Sequence, residues 1–152
     1  MKTTMGIAMA IAIICGTVFA VSASASPASA WSQWAARETP VYNTTYGEYK
    51  QIMSDLNANN ASAVQGDFRI MSGDSVLWSS MADSPSATLN TEIINCARSL
   101  NSMSWDGYLY VSLTESGSSS ASSYFAPFKA DIAAATHWIT AMTNTLTKLG
   151  KG

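Results

Sequence analysis

Apolar residues recur every three or four positions along three separate stretches of the chain. In residues 124–149 they fall at Phe125, Phe128, Ile132, Ala135, Ile139, Met142, Leu146 and Leu149. Because an α-helix has about 3.6 residues per turn, this spacing places them all on one face. Such a face must be covered by other helices to exclude water. The pattern therefore predicts a helix over this stretch that packs in a bundle.

Two earlier stretches show the same spacing. Residues 41–64 carry it at Tyr42, Tyr46, Tyr49, Met53, Leu56 and Ala63, and residues 87–104 carry it at Leu89, Ile93, Cys96, Leu100 and Met103. Proline suits the first position of a helix, so Thr39 and Pro40 are expected to start the first of these two. Gly66 and Asp67 are expected to end it and to cap the next segment.

The segments between these helices are less regular. Residues 68–81 are expected to form a short helix or two broken turns, because Gly73 and several serines weaken a helix. A turn with Ser86 as a cap follows at 82–86, and a break is expected at 105–107. Residues 108–113 are interpreted as a helical or irregular extension, and 115–123 as a serine-rich loop. The structure of 66–86 and 105–123 is left open.

The last helix is expected to hold Pro127 within its first turns and to end at Gly150 as a C-cap. Three long amphipathic helices and a shorter one pack most simply side by side with short connections. The predicted fold is therefore all-α, an antiparallel three- to four-helix bundle. It forms one domain over residues 31–152.

Residues 1–30 have the layout of a bacterial secretory signal peptide. Lys2 precedes the uncharged run 5–21, and small residues fill positions 22–30, with cleavage expected after Ala25 or Ala30. The alternative is an uncleaved membrane anchor, but the run of about 17 residues is shorter than the roughly 20 needed to cross the hydrocarbon core. We expect a secreted protein, with no stable membrane insertion after cleavage.

Charge restricts the classes of partner. Charged residues make up 12% of the chain, and the chain after residue 30 holds seven Lys and Arg against ten Asp and Glu, a net charge of −3. The basic residues form no cluster. These features argue against nucleic acid or an anionic membrane surface as a partner.

Cysteine usage predicts a fold without an internal disulfide. Cys15 lies in the leader, so cleavage leaves Cys96 alone. Cys96 lies in the apolar spacing of the 87–104 helix, where a cysteine acts as a small buried hydrophobe. Pairing between chains to form a covalent dimer through Cys96 is the alternative, and burial is favoured.

Few residue types suited to catalysis are present. His137 is the only histidine, and it lies away from the apolar face of its helix, so we expect it to face solvent. The chain has no GxSxG motif that would mark a serine nucleophile. We predict no catalytic residue and a protein that is not an enzyme.

Metal and cofactor sites are not predicted either. One histidine and one cysteine after cleavage cannot supply the common zinc ligand sets. The carboxylates seven residues apart, Glu48 with Asp55 and Asp67 with Asp74, are expected to be solvated at the surface. Met53, Met103 and Met142 lie on the three apolar faces and are expected to fill the core.

At several residues, the chain resembles small secreted helical proteins of actinobacteria. They are Tyr49, Asp55, Leu56, Ala58, Ala61, Gly66, Asp67, Cys96, Leu100 and Trp138. The resemblance implies a secreted helical fold and no assigned activity. Members of that group carry a second cysteine near the C-terminus, where this chain has Lys148 to Gly152, so the disulfide that the resemblance implies is missing here.

The leading functional hypothesis is an exported, non-enzymatic bundle that acts through surface contacts with itself or with another extracellular component. Its basis is a set of aromatic residues that are candidates for exposure: Trp31, Trp34, Trp78, Trp105, Tyr108 and Tyr110. Aromatic residues grouped on a surface suit an interface. For Trp31 and Trp34, folding back on the bundle as a lid is favoured over binding a ligand.

The alternative function is a carrier of a small apolar ligand, a lipid or a haem-like molecule, held between the helices. It predicts a cavity of at least about 300 Å³ lined by methionine and aromatic side chains. An enzyme is the third hypothesis. It would require His137 beside a carboxylate and a nucleophile in a cleft.

Overall fold

The computed structural model describes residues 28–149, and this part of the chain is helical and contains no strand. The helices are α1 (Ala28–Asn57), α2 (Ala61–Ser80), α3 (Ala87–Glu115) and α4 (Ser122–Leu149), with a 3-10 turn at Ser119–Ala121 before α4. The predicted all-α fold is confirmed. Apart from its last three residues, the predicted leader lies outside the described range, as does the Gly150 cap.

Each helix packs against the next one in sequence. Gln65 near the start of α2 donates a hydrogen bond to Glu115 at the end of α3, so these two helices run in opposite directions. Arg37 near the start of α1 forms an ion pair of 3.0 Å with Asp83, just after the end of α2. Thr145 near the end of α4 donates a hydrogen bond of 2.9 Å to Glu92 near the start of α3. The four helices therefore form an antiparallel bundle with short connections.

The predicted apolar faces of α3 and α4 form much of the core. All five α3 positions named from the sequence are buried, and so are Phe128, Ile132, Ala135, Ile139 and Met142 of α4. Of the other three α4 positions, Phe125 is 45% exposed near the first turn, and Leu146 and Leu149 are half-buried near the end of the helix. The helical spacing thus identified the buried face of both helices.

The first helix begins and ends earlier than predicted. Pro40 lies inside α1 and not at its start. Proline has no N–H to donate to the Ala36 carbonyl, but both residues are exposed, so water can bond this carbonyl instead. At the other end, Asn59 adopts a positive φ of 55°, and the Asn60 N–H donates to the Asp55 carbonyl at 2.9 Å. These turn contacts end the helix at Asn57, so its predicted continuation to residue 64 is wrong.

Residues 61–80 form one continuous helix. The prediction that Gly66 and Asp67 separate two elements is therefore wrong, since both lie inside α2. Val64, Phe68, Met71 and Trp78 are all buried on one face of this helix. Burial of large apolar side chains contributes about 1.5–3 kcal/mol each, which outweighs a cost of about 1 kcal/mol for each glycine.

The break predicted at residues 105–107 is also wrong, because α3 continues through it to Glu115. Gly107 is buried there, and a Cβ on it would lie 2.8 Å from Cε2 of Phe128 and closer still to the ring of Phe68. Glycine is thus required for close packing and not for a turn. The helical extension over 108–113 is confirmed, and so is the Ser86 cap, whose Oγ accepts from the Leu89 N–H at 3.3 Å.

Candidate binding surface

The side of α2 that faces away from the core carries large apolar residues. Ile70, Val76 and Leu77 are 52%, 60% and 51% exposed. At about 100° per residue, Gly66 and Gly73 lie on the same side. A Cβ placed on either glycine would meet no atom within 4 Å. We call these five residues the outer face of α2.

Beside this face, a groove of about 370 Å³ runs between α2 and α3. The residues that line it are Phe68, Arg69, Ser72, Ser104, Trp105 and Tyr108. Phe68 and Ser104 are buried beneath it, whereas Trp105 is 58% exposed. We call it the Trp105 groove.

Arg69 is the charged residue of the Trp105 groove, and Tyr108 fixes its position. The Arg69 Nη2 donates a hydrogen bond of 2.7 Å to the Tyr108 hydroxyl oxygen. The guanidinium carbon also lies 5.0 Å from the centre of the Tyr108 ring, in cation–π contact. Nearby, the Ser72 hydroxyl donates to the Asn101 Oδ1 at 2.6 Å. The polar groups of the groove are therefore positioned by contacts within the protein.

The six aromatic residues proposed as exposed are mostly in or beside the core. Trp34 and Trp78 are buried, and Trp31, Tyr108 and Tyr110 are half-buried. Trp31 packs edge to face on Trp34 at 5.7 Å between ring centres. Both tryptophans pack against the core as part of α1 itself. Trp105 is the residue of the six that remains exposed.

Glu38 of α1 is an acidic side chain in the core, 1% exposed. Its Oε1 accepts a hydrogen bond from the Trp78 Nε1. Burial raises the pKa of Glu38 to about 7, because an ionised carboxylate is poorly solvated among apolar groups. The hydrogen bond from Trp78 and the charge of Arg37 lower this pKa, whereas the charge of nearby Asp83 raises it further. The carboxyl group lines a cavity of about 20 Å³, and a second cavity deeper along the same helices measures about 10 Å³. Each has room for about one water molecule.

Glu48 and Asp55 of α1 lie near Asp67 and Asp74 of α2, where the two helices are in contact. Asp55 is buried, and it accepts hydrogen bonds from Gln51 at 2.8 Å and Asn60 at 3.2 Å. Donation by Gln51 lowers the pKa of Asp55, whereas burial and the nearby Asp55 raise the pKa of Asp67. Burial also raises the pKa of Glu48. The prediction that all four are solvated is therefore wrong for Asp55, and Glu48, Asp67 and Asp74 are half-buried.

Within residues 28–149, no three His, Cys, Asp or Glu side chains are arranged to hold a metal ion. His137 is exposed on α4, with its ring edge-on to Trp138 at 4.9 Å. The predicted burial of Cys96 is confirmed, with its Sγ 3.9 Å from the Ala135 carbonyl oxygen. The predicted core positions of Met53, Met103 and Met142 are confirmed as well.

Comparison with family models, characterised proteins and solved structures found no match. None of the helices in residues 28–149 is both long and apolar enough to cross a membrane. The surface and the cavities of this protein are therefore the basis for inferring its function.

Sequence reasoning missed two features that its own spacing rule could have found. Once Phe68, Met71 and Trp78 are taken as the core face of a helix, Ile70 and Leu77 must lie on its other side. In α1, Glu38 lies four residues after Trp34 and four before Tyr42, in register with the buried face. The first was missed because a helix end was placed at Gly66, and the second because the helix was started at Pro40.

Proposed function

We propose that this protein is an exported, non-enzymatic helical bundle that acts by pairing with a second copy of itself through the outer face of α2. The observation that carries the proposal is the exposure of Ile70, Val76 and Leu77 to between 51% and 60% on one side of one helix. Large apolar side chains grouped in this way mark an interaction surface. The leader pattern supports export, with cleavage after Ala25 or Ala30.

The spacing of the outer face is self-complementary. Ile70 lies three residues before Gly73, and Val76 lies three residues after it. A two-fold axis through Gly73 therefore brings Ile70 of one chain against Val76 of the other in an antiparallel helix pair. Gly73 lies at the crossing point, where the lack of a side chain allows two helices to approach closely.

Charge and area fit a weak dimer. The five residues of the outer face are uncharged, and the two-fold axis places the neighbouring Arg69 opposite Leu77 of the second copy, so two negatively charged chains can meet there without like charges in contact. At 20 residues, α2 is about 30 Å long and about 10 Å wide, which gives a footprint of roughly 300 Å² for each chain. A standard interface covers about 800 Å² for each partner. We therefore expect association that depends on concentration and not a permanent dimer.

The alternative function, a carrier of a lipid or haem-like ligand between the helices, has less support. The Trp105 groove of about 370 Å³ is large enough for a small molecule, but it lies open on the surface, with Trp105 58% exposed. The cavities enclosed among the helices measure about 20 Å³ and 10 Å³, far below the roughly 300 Å³ of a small-molecule site. Such a ligand would have to separate helices that are already packed together. The exposed outer face needs no such rearrangement.

Sedimentation velocity over a range of protein concentrations tests the proposal. Leu77→Lys should keep the protein monomeric where the wild type associates, because the same axis places position 77 opposite Arg69 of the second copy. Asn144→Lys adds the same charge at an exposed site on α4 and should associate as the wild type does.

A second variant separates the interface from the fold. Gly73→Ala should raise the free energy of unfolding by up to about 1 kcal/mol, because alanine is the better helix former. It should nevertheless weaken association, because its Cβ lies at the helix crossing. A wild type that stays monomeric at millimolar concentration would refute the proposal, as would a Gly73→Ala protein that associates more tightly.

A further inference from the structure

We propose that the Trp105 groove binds a small organic acid with a flat ring, its acidic group on Arg69 and its ring on Trp105. This site borders the helix pairing proposed above, in which Arg69 lies opposite Leu77 of the second copy, but it is argued from different observations. It is inferred from the size of the groove, its charge and its exposed indole.

The size of the groove fits a small molecule. Its volume of about 370 Å³ lies within the range of roughly 300–1,000 Å³ found for ligand sites. Phe68 and Ser104 form a buried floor, and Trp105 and Tyr108 rise beside it. A six-membered ring with one acidic substituent fits this space, whereas the two core cavities described above have room for about one water molecule each.

The charge of the groove favours an acid. Among the described residues that line it, Arg69 is the only charged one. Within the described residues, the ion pair of the structure joins Arg37 to Asp83, and no carboxylate of that part of the chain lies within 4.0 Å of the Arg69 guanidinium nitrogens. A guanidinium group has five N–H donors, and Tyr108 accepts from one of its nitrogens. The remaining donors suit a carboxylate, which guanidinium groups bind in a two-pronged geometry.

Arg69 is also fixed before any ligand arrives. Its hydrogen bond to the Tyr108 hydroxyl and its position over the Tyr108 ring hold the guanidinium in one place. An arginine that is free in solvent loses side-chain entropy when it binds, at a cost of about 0.5–1.5 kcal/mol. An arginine held by a tyrosine has already lost much of that freedom. This arrangement favours binding over a random surface contact.

The exposed indole supplies the second half of the ligand chemistry. Trp105 is 58% exposed, although α3 buries its other large apolar residues wholly or in part. A flat ring that stacks on the indole removes apolar surface from water on both partners. Aromatic rings and the apolar faces of sugar rings both meet this requirement. The shared chemistry is therefore a ring that carries a carboxylate, either an aromatic acid or a sugar acid.

Titrations followed by NMR of the ¹⁵N-labelled protein test the proposal with four probes. Benzoate and glucuronate represent the two acids, and benzyl alcohol and glucose are their uncharged counterparts. We expect saturable shifts of the Trp105 indole N–H with at least one acid, and at least about tenfold weaker binding of its neutral counterpart, a difference of about 1.4 kcal/mol. Which acid binds identifies the ring.

Three variants locate the site. Arg69→Gln should remove the preference for the acid over its neutral counterpart, and Trp105→Ala should weaken binding of both. Arg98→Gln makes the same charge change at another exposed arginine, on α3, and should bind like the wild type. Repeating the titration with Gly73→Ala, in which self-association is weakened, should give binding at least as tight, because a second copy covers Arg69 less often. The test therefore does not depend on the dimer.

Several results would overturn the proposal. One is the absence of a saturable shift at Trp105 with both acids. Another is equal loss of binding in Arg69→Gln and Arg98→Gln, since that would show a general effect of net charge. Unchanged acid binding in Arg69→Gln would also refute it. Because Arg69 and Trp105 are both exposed, neither substitution should prevent folding, and circular dichroism checks this.

Discussion

The buried carboxyl group of Glu38 should make the protein lose stability as the pH rises through neutrality. Replacing it by glutamine gives a side chain of the same shape that cannot ionise. The amide oxygen of Glu38→Gln can still accept the hydrogen bond from the Trp78 Nε1. The difference in free energy of unfolding between the two proteins therefore isolates the ionisation of this one group.

The direction of the pH dependence follows from the pKa values of Glu38 in the folded and the unfolded protein. Glu38 has a pKa of about 7 in the folded protein and 4.5 as its ordinary value, so the folded state holds the proton more tightly. Its contribution to stability is complete below about pH 4.5 and is lost as the pH rises towards 7. A difference of 2.5 pKa units at about 1.4 kcal/mol each gives at most about 3 kcal/mol. This is a large share of the stability of a small domain.

Urea unfolding followed by circular dichroism, at several pH values between about 4 and 8, measures this difference. We expect Glu38→Gln and the wild type to be similar near pH 4, and the variant to be more stable by up to about 3 kcal/mol near pH 8. Other carboxyl groups titrate in both proteins, so their effects cancel in the comparison. Parallel profiles would refute the reasoning, because they would mean that Glu38 ionises inside the fold at no cost.

Two further predictions concern the close packing at Gly107 and the ionisation of Asp131. Gly107→Ala should lower the free energy of unfolding by about 1–3 kcal/mol, because its Cβ would lie 2.8 Å from Phe128. The control Gly47→Ala, which has open space, should instead gain up to about 1 kcal/mol; equal effects in urea unfolding would contradict this account. Asp131 has a pKa raised to about 6, by burial and by nearby Asp106. Asp131→Asn should therefore raise the melting temperature near pH 8 but not near pH 3.5, and a constant shift would show that ionisation is not the cause.

The helical register was readable from the sequence because it depends on local geometry alone. Leu89 to Met103 and Phe128 to Met142 were assigned to buried faces from spacing, and the fold buries them. The burial of Cys96 followed from the same register. The absence of a basic cluster and the thin supply of catalytic side chains were likewise properties of composition. The leader pattern belongs to this group as a prediction from residues 1–30.

The ends of the helices were not readable, because glycine and proline have different effects in different surroundings. Gly107 was interpreted as a break, yet it lies inside α3 where rings from α2 and α4 leave no room for a side chain. Pro40 was interpreted as a start, yet it lies within α1 on an exposed side. In both cases the neighbours in space, which the sequence does not state, decide what the residue does.

The amino-acid sequence by itself determined that this protein has long helices and which side of α3 and α4 turns inward, because 3.6 residues per turn fixes the direction of each side chain. Only the tertiary structure decided that Glu38 is enclosed beside Trp78, that Arg69 is held over Tyr108 and that Ile70 and Leu77 remain uncovered. These features depend on which helices lie side by side and at what distance. A periodic pattern specifies that a helix needs partners, but not which part of its surface those partners leave exposed.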